Sequence, residues 1–186
     1  RDWRSRNQIM TPKGPIWLTI PVGKNRNRRI EEVILPDGEW RRNHLETIRR
    51  VYSKQPFFEP LMSIIEPWFV NDEIRTLSEF NQGIIRDICA YLGINTQFLK
   101  SSDLGVEGNR LERLIGICKS IGADEYLTGP AAKSYIDADF EKSGIALSWM
   151  KYGPFETYPQ IGPEFVNEVS IVDTIVMLGE DALNSK

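Results

Sequence analysis

An α/β fold is predicted for this chain of 186 residues: a mostly parallel central sheet with flanking helices, an N-terminal β-hairpin and an α-helical insertion. Three observations predict it. The first is an approximate internal repeat. Ile88-Cys89-Ala90-Tyr91-Leu92-Gly93 and Ile117-Cys118-Lys119-Ser120-Ile121-Gly122 match in pattern, and each precedes a short apolar run and a Ser/Thr-bearing loop. Successive helix–Gly–strand units are what a parallel sheet requires. The second is the run Ile16–Val22, apolar, β-branched and aromatic, followed after a basic turn by Ile30–Leu35; these two runs are expected to pair as a hairpin. The third is a set of helical stripes over residues 40–92.

In chain order, residues 1–15 mix Arg, Asn and turn formers and read as a loop or edge segment. After the hairpin and the turn Pro36-Asp37-Gly38, a stripe of Trp40, His44, Ile48, Val51 and Tyr52 predicts a helix closed by Gln55-Pro56. A second helix, interrupted by prolines, is expected over Phe57–Val70. A third opens at Thr76, where Thr76-x-x-Glu79 offers a capping box, and Gly93 ends it. Asn81 lies inside its apolar stripe, placed either to bond a neighbouring loop or at the stripe's edge.

Gln97–Tyr135 is the stretch around which the chain is organised. It reads as strand (Gln97–Leu99), polar loop, helix, strand (Tyr126-Leu127), Gly-Pro loop and helix. Leu111, Leu114, Ile115, Cys118 and Ile121 share one helical face, Gly122 stops that helix, and Pro130 suits a first helical turn. Two strands joined through a helix should run parallel with a right-handed crossover. Both polar loops would then leave the carboxyl ends of neighbouring strands, where open α/β sheets hold ligands. A third unit is expected from a helical turn at Phe140–Ser143, a stop at Gly144 and a strand over Ile145–Tyr152. Gly153–Phe165 reads as a long surface loop and Val169–Leu178 as a final apolar helix stopped by Gly179, with residues 182–186 frayed. The whole is read as one domain over residues 1–186.

The chain is 41% hydrophobic and 26% charged, an ordinary composition long enough for a substantial core. No apolar run approaches the roughly 18–20 residues of a membrane helix. The opening RDWRSRNQ has no apolar h-region and no initiator Met, so the sequence is expected to be a fragment whose opening is missing. Cys89 and Cys118 fall on helix core faces and read as buried free thiols, which suits a reducing cytoplasm. With one His and two Cys, no structural zinc site is expected. Charge is uneven: residues 1–54 hold 13 Lys/Arg against 6 Asp/Glu, a balance of +7, and the remainder is −10, giving −3 overall. The basic third either faces an anion or is a solvated face. The acidic whole argues against duplex nucleic acid.

The loop Ser101–Asn109 offers hydroxyls at Ser101 and Ser102, a carboxylate at Asp103 and two glycines before a helix N-terminus, where free N–H groups suit phosphate or carboxylate. Thr128-Gly129-Pro130-Ala131 repeats the arrangement. The plainer reading of each is helix capping. Neither loop matches a P-loop or a G-x-G-x-x-G fingerprint. Arg113, one turn inside its helix, is placed to return to a bound phosphate or to pair with Glu112 or Glu107. Tyr135 is placed to stack on a base or sugar, or to pack. His44, the only imidazole, is a candidate general base, although its stripe-mates Trp40 and Ile48 favour a packed core histidine.

Several stretches carry a resemblance to a known family. They are RDWRSRNQI before IWLTIPV; the helix with Trp40, His44, Ile48 and Tyr52; SSDLGVEGNRLERLIGICKSIGADEYLTGPAAKSYID; and the late Tyr158-Pro159-Gln160 and VSIVDTIV segments. In these the chain resembles the WbqC-like family of bacterial proteins, over essentially its whole length. The resemblance implies a cytoplasmic protein of surface polysaccharide (O-antigen) gene clusters that transfers an acyl or aminoacyl group, a glycyl group among the candidates, to a nucleotide-linked or lipid-linked amino sugar. It also implies polysaccharide-biosynthesis enzymes as partners. Members open with a strand and a His-Gln-Pro-x-Tyr-Leu-Pro-Trp-like motif, which would lie before Arg1.

The resulting expectation is a transferase with an anionic, phosphate-bearing or nucleotide-sugar ligand held by Arg6, Asn7, Ser101, Ser102, Arg113, Thr128, Gly129 and Tyr135, and His44 as base. A nucleotidyltransferase-like enzyme and a non-catalytic accessory protein of polysaccharide assembly are the alternatives.

Overall fold

A computed structural model describes residues 3–23, 28–136, 140 and 142–183. The chain is mixed α/β and gathers into two compact units, one of residues 1–95 with 155–186 and one of residues 96–154.

The first unit begins with an antiparallel hairpin, but not the expected one. Strand β1 (Arg6–Thr11) pairs with β2 (Gly14–Thr19) through a two-residue turn. Residues 6–11, within the stretch read as loop or edge segment, are thus an edge strand. Ile9, Met10 and Thr11 are all buried. Successive strand residues face opposite sides, so β1 is covered on both. Along β2, in contrast, Pro15, Ile16 and Trp17 are exposed. Ile30–Leu35 is not the partner strand. Ile30–Glu32 is a 3-10 turn, and Ile34 makes only a single antiparallel bridge, to Thr76.

Three helices follow where the stripes placed them: α1 (Trp40–Tyr52), α2 (Phe58–Val70) and α3 (Leu77–Tyr91). Helix α2 runs through Pro67 without a break. Thr76 caps α3 by accepting the Glu79 N–H at 3.1 Å. Gly93 stops the helix in the left-handed region, φ +68°, where a side chain would be strained. Asn81 donates to the Arg4 carbonyl at 2.9 Å, tying α3 to the segment entering β1. Helix α5 (Ile171–Leu178) starts two residues later than its apolar run, capped by Ser170. It packs with α1, α2 and β1 around Leu45, Ile48, Tyr52, Leu61, Ile65, Ile175 and Val176. Residues Gly179–Leu183 form a 3-10 turn with Ala182 buried, so 182 and 183 belong to a regular element; 184–186 lie outside the described residues.

The second unit holds α4 (Arg110–Ser120), β3 (Glu125–Thr128) and β4 (Ala146–Trp149). Among the described residues no mostly parallel central sheet is found. Instead β3 and β4 make a two-stranded parallel pair separate from the hairpin. Gln97–Leu99 is not a strand. Phe98 and Leu99 are both exposed, so neither face of that run is buried to fix it in a sheet. The expected turn at Phe140–Ser143 includes Glu141, outside the described residues. The unit's core is Cys118, Phe140 and Ile145 with Leu111, Ile115, Tyr126 and Leu147 against them. Cys118 is buried and Cys89 half-buried, both as free thiols.

Candidate functional site

Parallel pairing sets Thr128 beside Trp149, so β3 and β4 present their carboxyl ends at one edge of the second unit. The Met150 N–H donates to the Thr128 carbonyl at 2.7 Å and extends the pairing by one residue. From Thr128 the chain passes through Gly129 into a 3-10 turn, Pro130–Ser134, with Pro130 at its start. Gly129 has an ordinary extended backbone, φ −79°, so no torsion demands glycine there. A Cβ there would stand 3.1 Å from the Tyr152 hydroxyl, a close contact. The Lys133 ammonium lies 5.3 Å from the centre of the Trp149 ring.

The Ser101–Asn109 loop does not leave a strand, and it is shaped by α4 instead. Asn109 accepts from the Leu111 and Glu112 N–H groups, and Glu112 accepts from the Asn109 N–H at 2.9 Å, a complete capping box. Amides that were candidates for a phosphate are thus already taken. Val106 is seated on Gly116, where a Cβ would come within 2.5 Å of its methyl. That contact holds the loop on the helix. Arg113 reaches back and donates to the Ser101 hydroxyl at 3.3 Å, so these two candidate residues meet. Ser102 bonds its neighbour Asp103. The Arg110 guanidinium lies 3.4 Å from the centre of the Tyr135 ring, which joins the start of α4 to the end of the Pro130 turn and covers one face of Tyr135.

Arg6, Asn7 and His44 belong to the first unit. The Arg6 guanidinium stacks over Trp17 at 4.2 Å, and the Asn7 side chain accepts from the Gln8 N–H. His44 sits edge-on to Trp40 (5.5 Å) and Phe69 (6.2 Å). Burial lowers its pKa below the usual histidine value, and a bond to the Thr19 backbone only partly offsets this. A neutral imidazole packed among rings is the plainer of the two readings.

A polar centre absent from the sequence-based set lies in the first unit. Asp173 is fully buried on α5. It accepts from the Tyr52 hydroxyl (2.6 Å), the Tyr158 hydroxyl (2.8 Å) and the Gln160 amide (2.7 Å). Tyr52 in turn accepts the Met10 N–H at 3.0 Å, and Gln160 exchanges two bonds with the Val166 backbone. Burial, reinforced by Asp173, drives the Tyr52 phenol far above its usual pKa; burial likewise pushes Tyr158 up to about 12. Both therefore act as donors at any ordinary pH. The available signal was a lone carboxylate inside VSIVDTIV, downstream of Tyr158-Pro159-Gln160.

Among the described residues, no helix is long and apolar enough to cross a membrane. No solved structure matches the chain. A Mycobacterium tuberculosis protein named "Uncharacterized protein Rv1507c" is 33% identical over 185 residues, 98% of this chain and 80% of that protein. The model of the WbqC-like protein family matches residues 1–185, and the chain belongs to that family.

Proposed function

We propose that the chain binds a phosphate-linked amino sugar at the strand-end edge of its second unit and transfers an acyl or aminoacyl group to it. The observation that carries this reading is the edge itself. Two parallel strands end side by side at Thr128 and Trp149, and Lys133 stands at the same edge. Open α/β units bind ligands at such carboxyl ends because the loops leaving them are free to be shaped by the ligand. Arg113, held by Ser101, adds a guanidinium to the same small unit. The reaction joins the sugar's amine nitrogen to the carbonyl carbon of an activated acyl donor. The amide forms, the donor's leaving group departs, and the amine's proton goes to it or to solvent. Transfer of a nucleotidyl group is the alternative chemistry for the same ligands.

The test is an incubation of the protein with a nucleotide-linked amino sugar and an activated acyl or aminoacyl donor, read by mass spectrometry. The expected result is a product heavier by the acyl group, lost in Arg113→Ala and Thr128→Val while melting temperature is kept. No product and no stabilisation by any anionic sugar ligand would overturn the reading.

Two observations favour a second reading, an accessory protein that binds without turnover. The only imidazole is held neutral in an aromatic cluster, and the first turn of α4 is capped by its own side chains. Stabilisation by the ligand with no product, under every donor, would select it.

A further inference from the structure

The second unit contains a ring platform distinct from the residue its sequence suggested. We propose that the sugar or nucleoside ring of a phosphate-bearing ligand stacks on Tyr152, with the Lys133 ammonium meeting its phosphate; this rests on the binding edge argued under Proposed function.

Tyr135 was the aromatic expected to stack. Its ring, however, carries the Arg110 guanidinium at 3.4 Å on one face, and the ring is half-buried. Tyr126 leans on Phe140 within the unit's core. Tyr152 differs from both. It is 66% exposed, and its hydroxyl lies close to Gly129, where a Cβ would come to 3.1 Å. It therefore offers an available ring face beside the residue that follows β3. A tyrosine has only two side-chain torsions, so it has little entropy to lose on stacking.

Position supplies the rest. Gly129 directly follows the end of β3, and Tyr152 follows β4 by three residues, so the ring stands at the shared carboxyl edge. The flank of that edge holds Lys133, near Trp149. An exposed aromatic face and a compact cation on one strand-end edge suit a ring joined to a phosphate: the face meets the ring and the ammonium meets the anion.

The experiment titrates the whole chain with three probes, UDP-N-acetylglucosamine, UDP and N-acetylglucosamine 1-phosphate, by calorimetry and ligand-observed NMR. The wild type should bind at least one probe. Tyr152→Ala should weaken that binding about tenfold, in the range of a lost aromatic stack, and Tyr152→Phe should retain it. Gly129→Ala should weaken it as well by displacing the ring, with melting temperature as the control. Tyr135→Ala should leave affinity within about twofold. Whether UDP or the sugar phosphate carries the Tyr152 effect tells which ring is stacked. Lys133→Ala should reduce affinity and flatten its salt dependence. A wild type that binds no probe overturns the binding edge itself. A wild type that binds with Tyr152→Ala unaffected, or with the loss moved to Tyr135→Ala, overturns this inference and leaves the edge standing.

Discussion

The two units treat their polar side chains in opposite ways. In the unit of residues 1–95 and 155–186, they are turned inward and matched: Asp173 with Tyr52, Tyr158 and Gln160, Asn81 with the Arg4 carbonyl, Arg41 with the Trp68 and Ile74 carbonyls. In the unit of residues 96–154, Ser101, Ser102, Lys133 and Arg113 are exposed, and their described bonds stay within the Ser101 loop and the helix that follows it. A buried polar group must be bonded because desolvation costs more than an ordinary hydrogen bond returns, whereas a solvated one gains little from a protein partner. The polar residues named in the first unit therefore specify structure, and those named in the second are left to solvent or to a ligand.

The largest expected effect tests the first half of that contrast. Asp173→Ala leaves the Tyr52 hydroxyl, the Tyr158 hydroxyl and the Gln160 amide without their shared acceptor. The Gln160 amide keeps the Val166 carbonyl, but the fully buried Tyr52 hydroxyl is stranded, and losing the shared acceptor costs about 3 kcal/mol in stability. Urea unfolding should show that loss, and ligand affinity at the second unit, measured below the new transition, should stay at the wild-type value. A loss under 1 kcal/mol would mean the network is dispensable and would break the comparison.

A smaller effect is expected from Gly116→Ala, which bears on the second half. The new methyl would come within 2.5 Å of Val106 and must push it off α4. Overpacking of this kind costs ~1–3 kcal/mol. Because Val106 holds the Ser101 loop, hydrogen exchange over residues 101–109 should accelerate, and Arg113 should lose its Ser101 partner. Unchanged exchange in that loop would show that it is fixed by something other than this contact.

How much of this was legible in the sequence follows from periodicity. Trp40, Ile48 and Tyr52, and later Leu77, Phe80 and Ile88, recur at helical spacing and are buried as that spacing requires. Strand β1 was not legible. RNQIMT has no alternation because Ile9, Met10 and Thr11 are all buried, so no solvent face imposes a period of two. Ile30–Leu35 misled for the converse reason. Val33 and Leu35 are buried and Ile34 is exposed, a true alternation, but only one bridge, to Thr76, satisfies it. At the candidate site, α4's register placed Arg113 to reach back toward a phosphate or toward Glu112 or Glu107, and its bond goes to Ser101 instead. Tyr152 and Lys133 were missed because their proximity to Gly129 and Trp149 depends on β3 pairing with β4 rather than with residues 97–99. Asp173 was missed because an apolar helix with one carboxylate gives no hint of three donors arriving from residues 52, 158 and 160.

The smallest expected effect concerns His44, whose ionisation links the two readings of that residue. Burial lowers its folded-state pKa below the ordinary histidine value, while the unfolded chain titrates near about 6.5. Below that pH the unfolded state binds more protons than the folded state, so stability must fall as pH drops. The contribution is fully present above about 6.5 and is lost progressively down to the folded-state pKa. His44→Phe removes the titrating group while retaining a ring between Trp40 and Phe69, and gives up the Thr19 bond. Its stability should therefore fall less steeply than the wild type's between neutral pH and mild acid, in urea titrations at matched ionic strength. A wild type that gains stability on acidification would show a histidine stabilised as the cation, and would return His44 to the list of candidate acid–base groups.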